Sequence, residues 1–154
     1  LPVLEEAGCR IQCTYDTITL RAPAVLRAVS PVRTMPYPGF PTDAQAPVMA
    51  MTCLARGTSL FVENIFECRY KHAPELLRMG ANIRTEGKVA VVEGVRRLFG
   101  TRVCARDLRG GAALAVAGAA AYGQTAIEHA ELIERGYEAL EKSLSAVGVP
   151  AWME

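Results

Sequence analysis

Leu76-Leu77-Arg78-Met79-Gly80-Ala81-Asn82-Ile83 decides the architecture, because its skeleton returns elsewhere in the chain. Leu76-x-x-x-Gly80-x-x-Ile83 is preceded by Leu4-x-x-x-Gly8-x-x-Ile11 and followed, in reduced form, by Leu144-x-x-x-Gly148, a period of about 70 residues. Each copy reads as a helix stopped by a glycine and followed by a strand. After the first two copies come paired β-branched stretches, 11–14 with 18–20 and 83–85 with 89–92, which are expected to be hairpins. The other half of the repeat is an acid that opens a helix closed by glycine. Asp43 leads to Gly57 and a strand over 60–63, and Asp107 leads to Gly123 and a strand over 126–128. Shorter helices over 72–79, with Pro74 in its first turn, and over 135–147 complete the copies. The unit is strand, helix, strand, helix, hairpin. The spacing therefore predicts an α/β (α+β) layered fold of duplicated βαβαββ units in a single domain spanning 1–154, with copies at roughly 10–80 and 81–148. Residues 3–8 read as the tail of a helix, so the chain is expected to be a piece of a longer protein lacking at least one partner copy.

With 154 residues, 51% hydrophobic, 21% charged and a net charge of +1, the chain has enough apolar material for one globular core. Near-neutral charge and 6% aromatics give neither the electrostatic footprint nor the stacking platform of a nucleic-acid binder. Cysteines at 9, 13, 53, 68 and 104 are odd in number and lack paired spacing, and His72 and His129 are the only histidines. That pattern supports neither a zinc site nor a disulfide framework, and it points to a reducing cytoplasm. Cys9, Cys13, Cys53 and Cys104 read as small core residues, Cys68 as a residue near a cleft, and the two histidines as surface or capping residues. The small apolar run 110–121 falls short of the ~20 residues a membrane span needs, so no membrane role is expected.

The richest local signal is Pro36-Tyr37-Pro38-Gly39-Phe40-Pro41-Thr42-Asp43-Ala44-Gln45. Three prolines stiffen the approach, and Thr42 to Gln45 fits a capping box, which sets Asp43 in the first turn of a helix. Two readings stand side by side. Asp43 is either an acid that complements the macrodipole or a rigidly mounted general base or hydroxyl acceptor. The stripe Val48, Met49, Met51, Thr52, Leu54 and Ala55 has helical spacing and is expected to be buried against the sheet.

Arg109 and Arg135 each stand where a helix is expected to begin, the wrong end for a cation unless an anion sits there. A helix start with a guanidinium receives phosphate or carboxylate well, and Gly110-Gly111 permits close backbone approach. The competing reading pairs Arg135 with Glu131, Glu134 or Glu138 in weak exposed ion pairs.

Five ordered motifs carry a resemblance: Pro38-Gly39-Phe40-Pro41-Thr42-Asp43-x-Gln45, Glu63-Asn64-Ile65-Phe66-Glu67-x-Arg69, Pro74-Glu75-Leu76-x-Arg78-Met79-Gly80-Ala81, Asp107-Leu108-Arg109 and Arg135-Gly136-Tyr137-Glu138. Over nearly its whole length the chain resembles the carboxyl-terminal part of UDP-N-acetylglucosamine 1-carboxyvinyltransferases. The resemblance implies the enolpyruvyl transferase fold, an inside-out α/β barrel of βαβαββ units around a pseudo-threefold axis, with about two of the three units of one domain present. It implies transfer of the enolpyruvyl group of phosphoenolpyruvate to the 3-hydroxyl of UDP-N-acetylglucosamine, the first committed step of peptidoglycan synthesis, with no cofactor. As partners it implies the two small-molecule substrates and the missing amino-terminal part of the same protein. By this resemblance Asp43 contacts the sugar hydroxyl as its base, and Ile65 holds the nucleotide sugar through its backbone. Arg69 and Arg135 join the cationic cluster at the phosphoenolpyruvate end, while Asp107 and Arg109 are supporting or electrostatic residues. The chain departs from the family pattern at Leu132, Glu134 and Gly110, where histidine, aspartate and alanine are usual. The family's cysteine-bearing loop and its phosphoenolpyruvate-binding lysine match no residue here, so the isolated chain is expected to be inactive. The alternatives are a 3-phosphoshikimate 1-carboxyvinyltransferase and a non-catalytic binding or structural domain.

Overall fold

The computed structural model describes residues 1–29 and 31–153. Helix α1 (Pro2–Glu6) leads into a hairpin of β1 (Arg10–Cys13) and β2 (Ile18–Arg21). Strand β3 (Val32–Arg33), a 3-10 turn (Thr42–Ala44), helix α2 (Gln45–Thr52), β4 (Thr58–Val62), α3 (Ala73–Arg78), β5 (Asn82–Glu86) and β6 (Val89–Glu93) follow. The remainder is β7 (Arg102–Cys104), α4 (Leu108–Ala120), β8 (Ala126–Glu128), α5 (Glu131–Glu134) and α6 (Leu140–Ala146).

The leucine-glycine skeleton has one structural meaning at all three places. Gly8, Gly80 and Gly148 adopt φ of 100°, 93° and 86°, conformations that side chains with a Cβ resist. Each glycine amide donates to the carbonyl three residues back, and the next amide donates to Leu4, Leu76 or Leu144. This double closure satisfies carbonyls that a helix end would otherwise leave bare.

Strands β3, β4, β6 and β5 form one sheet in that order. Strand β3 runs parallel to β4, so the connection must cross over, and α2 makes the crossing. Strands β5 and β6 form a hairpin that adds antiparallel to β4, with Phe61 opposite Ala90 and Val92 opposite Ile83. The order from β3 to β6 is a complete βαβαββ unit. Strands β7 and β8 repeat the parallel pair with α4 as crossover, whereas β1 and β2 stand as a separate, largely exposed hairpin.

The core lies where α2 and α4 meet over the sheet, around Met49, Cys53, Phe61, Leu76, Met79, Leu98 and Leu114. Small residues permit that proximity: Gly110, Gly111, Ala112, Ala113, Ala115 and Ala117 of α4 are all buried. A Cβ on Gly111 would come within 2.5 Å of Ile133 Cγ1 on α5 and 3.0 Å of Ala105. Gly110 and Gly111 therefore face protein, contrary to the expectation that they admit a ligand.

Several expected boundaries shift. Helix α2 stops at Thr52 instead of reaching Gly57, and Val48, Met51 and Leu54 are only half-buried, because α2 also turns Gln45, Ala46 and Ala50 inward. Of the helix expected over 135–147 only α6 forms: α5 has already ended at Glu134, and Ala139, in the left-handed region, precedes α6. Among the described residues no helix is long and apolar enough to cross a membrane.

Candidate functional site

Asp43 sits in the 3-10 turn that precedes α2, after Pro41 in extended conformation. The expected capping box does not form: no side chain among the described residues caps either the turn or α2. Thr42 Oγ1 instead donates to Glu63 Oε2 at 3.0 Å, and among the described residues neither polar atom of the buried Gln45 side chain has a hydrogen-bond partner. The rigid mount is therefore a tertiary contact.

The Asp43 carboxylate lies between two guanidiniums. Arg69 Nη2 donates to Oδ1 at 3.1 Å and Arg109 Nη2 to Oδ2 at 2.8 Å. Each cation rests on an aromatic face, Arg69 5.1 Å from the Phe66 centroid and Arg109 5.4 Å from that of Tyr137. Such stacking holds a guanidinium plane in place while leaving N–H groups free to bind. The Arg109 hydrogen bond, reinforced by the charges of Arg109 and Arg69 and only partly opposed by burial, lowers the Asp43 pKa. Asp43 in turn raises that of Arg109. With its side chain 56% exposed, Asp43 faces outward and is reachable by a ligand.

Asp107 closes the start of α4: its Oδ1 accepts from the Gly110 amide at 2.7 Å. This is a helix-capping contact. Arg109 follows in the first turn, and the anion expected beside it is Asp43. Arg135 departs from expectation, since it ends α5 instead of opening a helix. It is exposed, and no ion pair joins it to an acid among the described residues; the Glu131 pKa is lowered by its own backbone amide and by His129, with the charge of Arg135 the smallest cause. Its neighbour Gly136 packs beside the site, where a Cβ would come 2.9 Å from Leu108 and 3.6 Å from Arg109 Nη1. Ile65, 39% exposed, begins the loop that carries Phe66 and Arg69.

Two groups escaped the sequence reading. Glu63, at the end of β4, is 1% exposed and accepts four hydrogen bonds: Thr34 Oγ1 at 2.8 Å, Thr42 Oγ1, and the Ile65 and Phe66 amides at 2.9 and 3.1 Å. Burial raises its pKa, but the Thr34 hydroxyl, the two amides and Thr42 outweigh burial and leave the carboxyl below its usual range. Its charge and burial together push the neighbouring Tyr70 up to about 12, burial being the larger cause. The only signal was position, at a strand end within the 63–69 motif. His72, expected at the surface or in a cap, holds the N-cap position of α3 without a capping hydrogen bond and is buried, 2% exposed, with no partner for either ring nitrogen among the described residues. Burial pushes its pKa down to about 4, with the charge of Asp107 opposing and that of Arg69 assisting. Cys13 is exposed instead of buried, while Cys53 is buried and its thiol pushed up to about 12. Cys68 is exposed with φ 53°, and no group of His, Cys, Asp and Glu among the described residues is arranged to hold a metal ion.

The sheet and its crossovers define an enolpyruvyl transferase fold. The crystal structure of the enolpyruvyl transferase NikO from Streptomyces tendae matches with a TM-score of 0.87 at 28% identity, over 96% of this chain and 34% of that one. EPSP synthase from Acinetobacter baumannii shares the fold, with a TM-score of 0.70 at 19% identity, over 99% of this chain and 36% of that one. The family described as EPSP synthase (3-phosphoshikimate 1-carboxyvinyltransferase) matches residues 1–144, and the chain belongs to it. Within it the chain is 48% identical over 145 residues to UDP-N-acetylglucosamine 1-carboxyvinyltransferase 2 of Caldanaerobacter subterraneus subsp. tengcongensis, covering 94% of this chain and 35% of that protein. It is 51% identical over 149 residues to UDP-N-acetylglucosamine 1-carboxyvinyltransferase of Desulfofundulus thermocisternus, covering 97% of this chain and 61% of that protein.

Proposed function

We propose that the protein containing this chain transfers the enolpyruvyl group of phosphoenolpyruvate to the 3-hydroxyl of UDP-N-acetylglucosamine in the cytoplasm, serving peptidoglycan synthesis. In this reading the chain supplies two repeats, roughly 10–80 and 81–148, of a carboxyl-terminal domain. The single observation that carries it is an outward-facing carboxylate held between two ring-stacked guanidiniums, in a chain about half identical to carboxyvinyltransferases that use this nucleotide sugar by name.

The reaction joins the sugar oxygen to C2 of phosphoenolpyruvate, adds a proton at C3, and then expels phosphate as C3 gives a proton back. Asp43 accepts a hydrogen bond from the sugar hydroxyl and takes its proton as the C–O bond forms. A carboxylate with a lowered pKa is a weak base, so transfer late in bond formation suits it better than prior deprotonation. Ile65 holds the nucleotide sugar through its backbone. Arg69 and Arg135 receive the anionic donor, and Arg109 with Asp107 fixes the acid and the helix start behind it. The C3 proton donor lies outside this chain.

The test is phosphate release by the full-length protein. Release from phosphoenolpyruvate is expected only when UDP-N-acetylglucosamine is supplied. Release with shikimate 3-phosphate instead moves the assignment to the reaction for which the matched family is described.

A further inference from the structure

Glu63 is nearly inaccessible, yet no cation pairs with it among the described residues; four hydrogen bonds alone balance its charge. An unpaired buried carboxylate is costly, and an apolar side chain of similar size would suit a core better. What the carboxylate provides is geometry. Its donors come from three segments far apart in the chain. Thr34 follows β3, Thr42 immediately precedes Asp43, and Ile65 and Phe66 open the loop that leads to Arg69. The network also has a fixed direction: Thr34 Oγ1 accepts from the Asn64 amide at 2.8 Å, which commits its own proton to Glu63. Among the described residues Thr42 has no other side-chain hydrogen bond, and no side chain caps the turn it opens.

We infer that Glu63 is a positioning residue for the proposed transfer, holding Asp43 and the 65–69 loop at one fixed separation. It touches no substrate. Through Thr42 it sets the carboxylate that meets the sugar hydroxyl, and through the Ile65 amide it sets the backbone that holds the nucleotide sugar. The inference rests on the reading above.

Thr42→Val removes one hydroxyl at nearly constant shape and leaves the loop amides on Glu63. In the full-length protein it is expected to lower kcat about tenfold, because reacting groups misplaced by a fraction of an ångström lose rate steeply. The KM for UDP-N-acetylglucosamine is expected to change by less than about twofold, since the loop stays tied. Thr42→Ser restores the hydroxyl and is expected to restore kcat. Glu63→Asp keeps the charge but withdraws it from its donors, so kcat falls and the nucleotide-sugar KM rises. Adding Thr42→Val to Glu63→Asp is then expected to cost little more, as for two partners in one contact. Should Glu63→Asp fail to fold, Thr42→Val against Thr42→Ser carries the test. Wild-type kcat in Thr42→Val, or independent multiplicative losses in the double variant, overturns the inference. A wild-type protein inactive with both substrates removes the functional reading and this inference together, whereas an active wild type with an unaffected Thr42→Val removes this inference alone.

Discussion

Asp43 is placed by the groups that weaken it. Arg69 and Arg109 fix both carboxylate oxygens and lower the pKa, so the acid is ionised throughout the neutral range and contributes position more than basicity. Asp43→Ala in the full-length protein is therefore expected to lower kcat by about 10²–10⁴-fold while α2 persists, because α2 has no cap from Asp43 to lose. Steady-state phosphate release checks the rate, and near-normal turnover would return Asp43 to a structural acid. His72 yields a prediction of a different kind. Its pKa falls from 6.5 to about 4 on folding, so the unfolded chain takes up its proton first as pH drops. Stability from this group is complete above about pH 6.5 and declines as pH falls toward 4; at pH 5 the loss is about 2 kcal/mol. Denaturant melts at pH 7 and pH 5 are expected to show that loss in wild type and a smaller one in His72→Gln, and parallel losses in both would show that His72 does not titrate this way.

Among the elements, helix ends are the best-written feature of the chain. Gly8, Gly80 and Gly148 were legible because positive φ and a double backbone closure are local demands that few residue types meet. Gly80→Ala is expected to cost about 1 kcal/mol from φ strain. Gly94→Ala is expected to cost at least about 3 kcal/mol, since its Cβ would lie 1.5 Å from the Ala55 carbonyl oxygen, a backbone atom that cannot swing away. Thermal unfolding of the two variants ranks them, and equal shifts would show that the close approach at Gly94 costs no more than φ strain at Gly80. The hairpin of β5 and β6 and the helix start at Asp107 were legible for the same local reason, though not the capping contact that Asp107 makes. The Thr42–Gln45 cap was not, since it was a correct local pattern overruled when Glu63, 21 residues on, claimed the Thr42 hydroxyl. Burial of His72 also depends on a neighbour remote in sequence, Gly110 of α4, which spacing alone does not encode.

Across the whole molecule, the chain spans about a third of the length of some of its carboxyvinyltransferase relatives. The 154-residue polypeptide alone is expected to show no phosphate release with both substrates, and measurable turnover by the purified chain would refute that. The acid and its two cations are themselves distributed. Asp43 precedes the crossover of the first parallel pair and Arg69 follows its second strand, but Arg109 belongs to the crossover of the next pair, 66 residues from Asp43. The first parallel pair with its flanking loops thus carries the acid and one guanidinium, and the second guanidinium arrives only because the next pair packs beside it, so separating the two pairs would leave Asp43 with half of its anchoring.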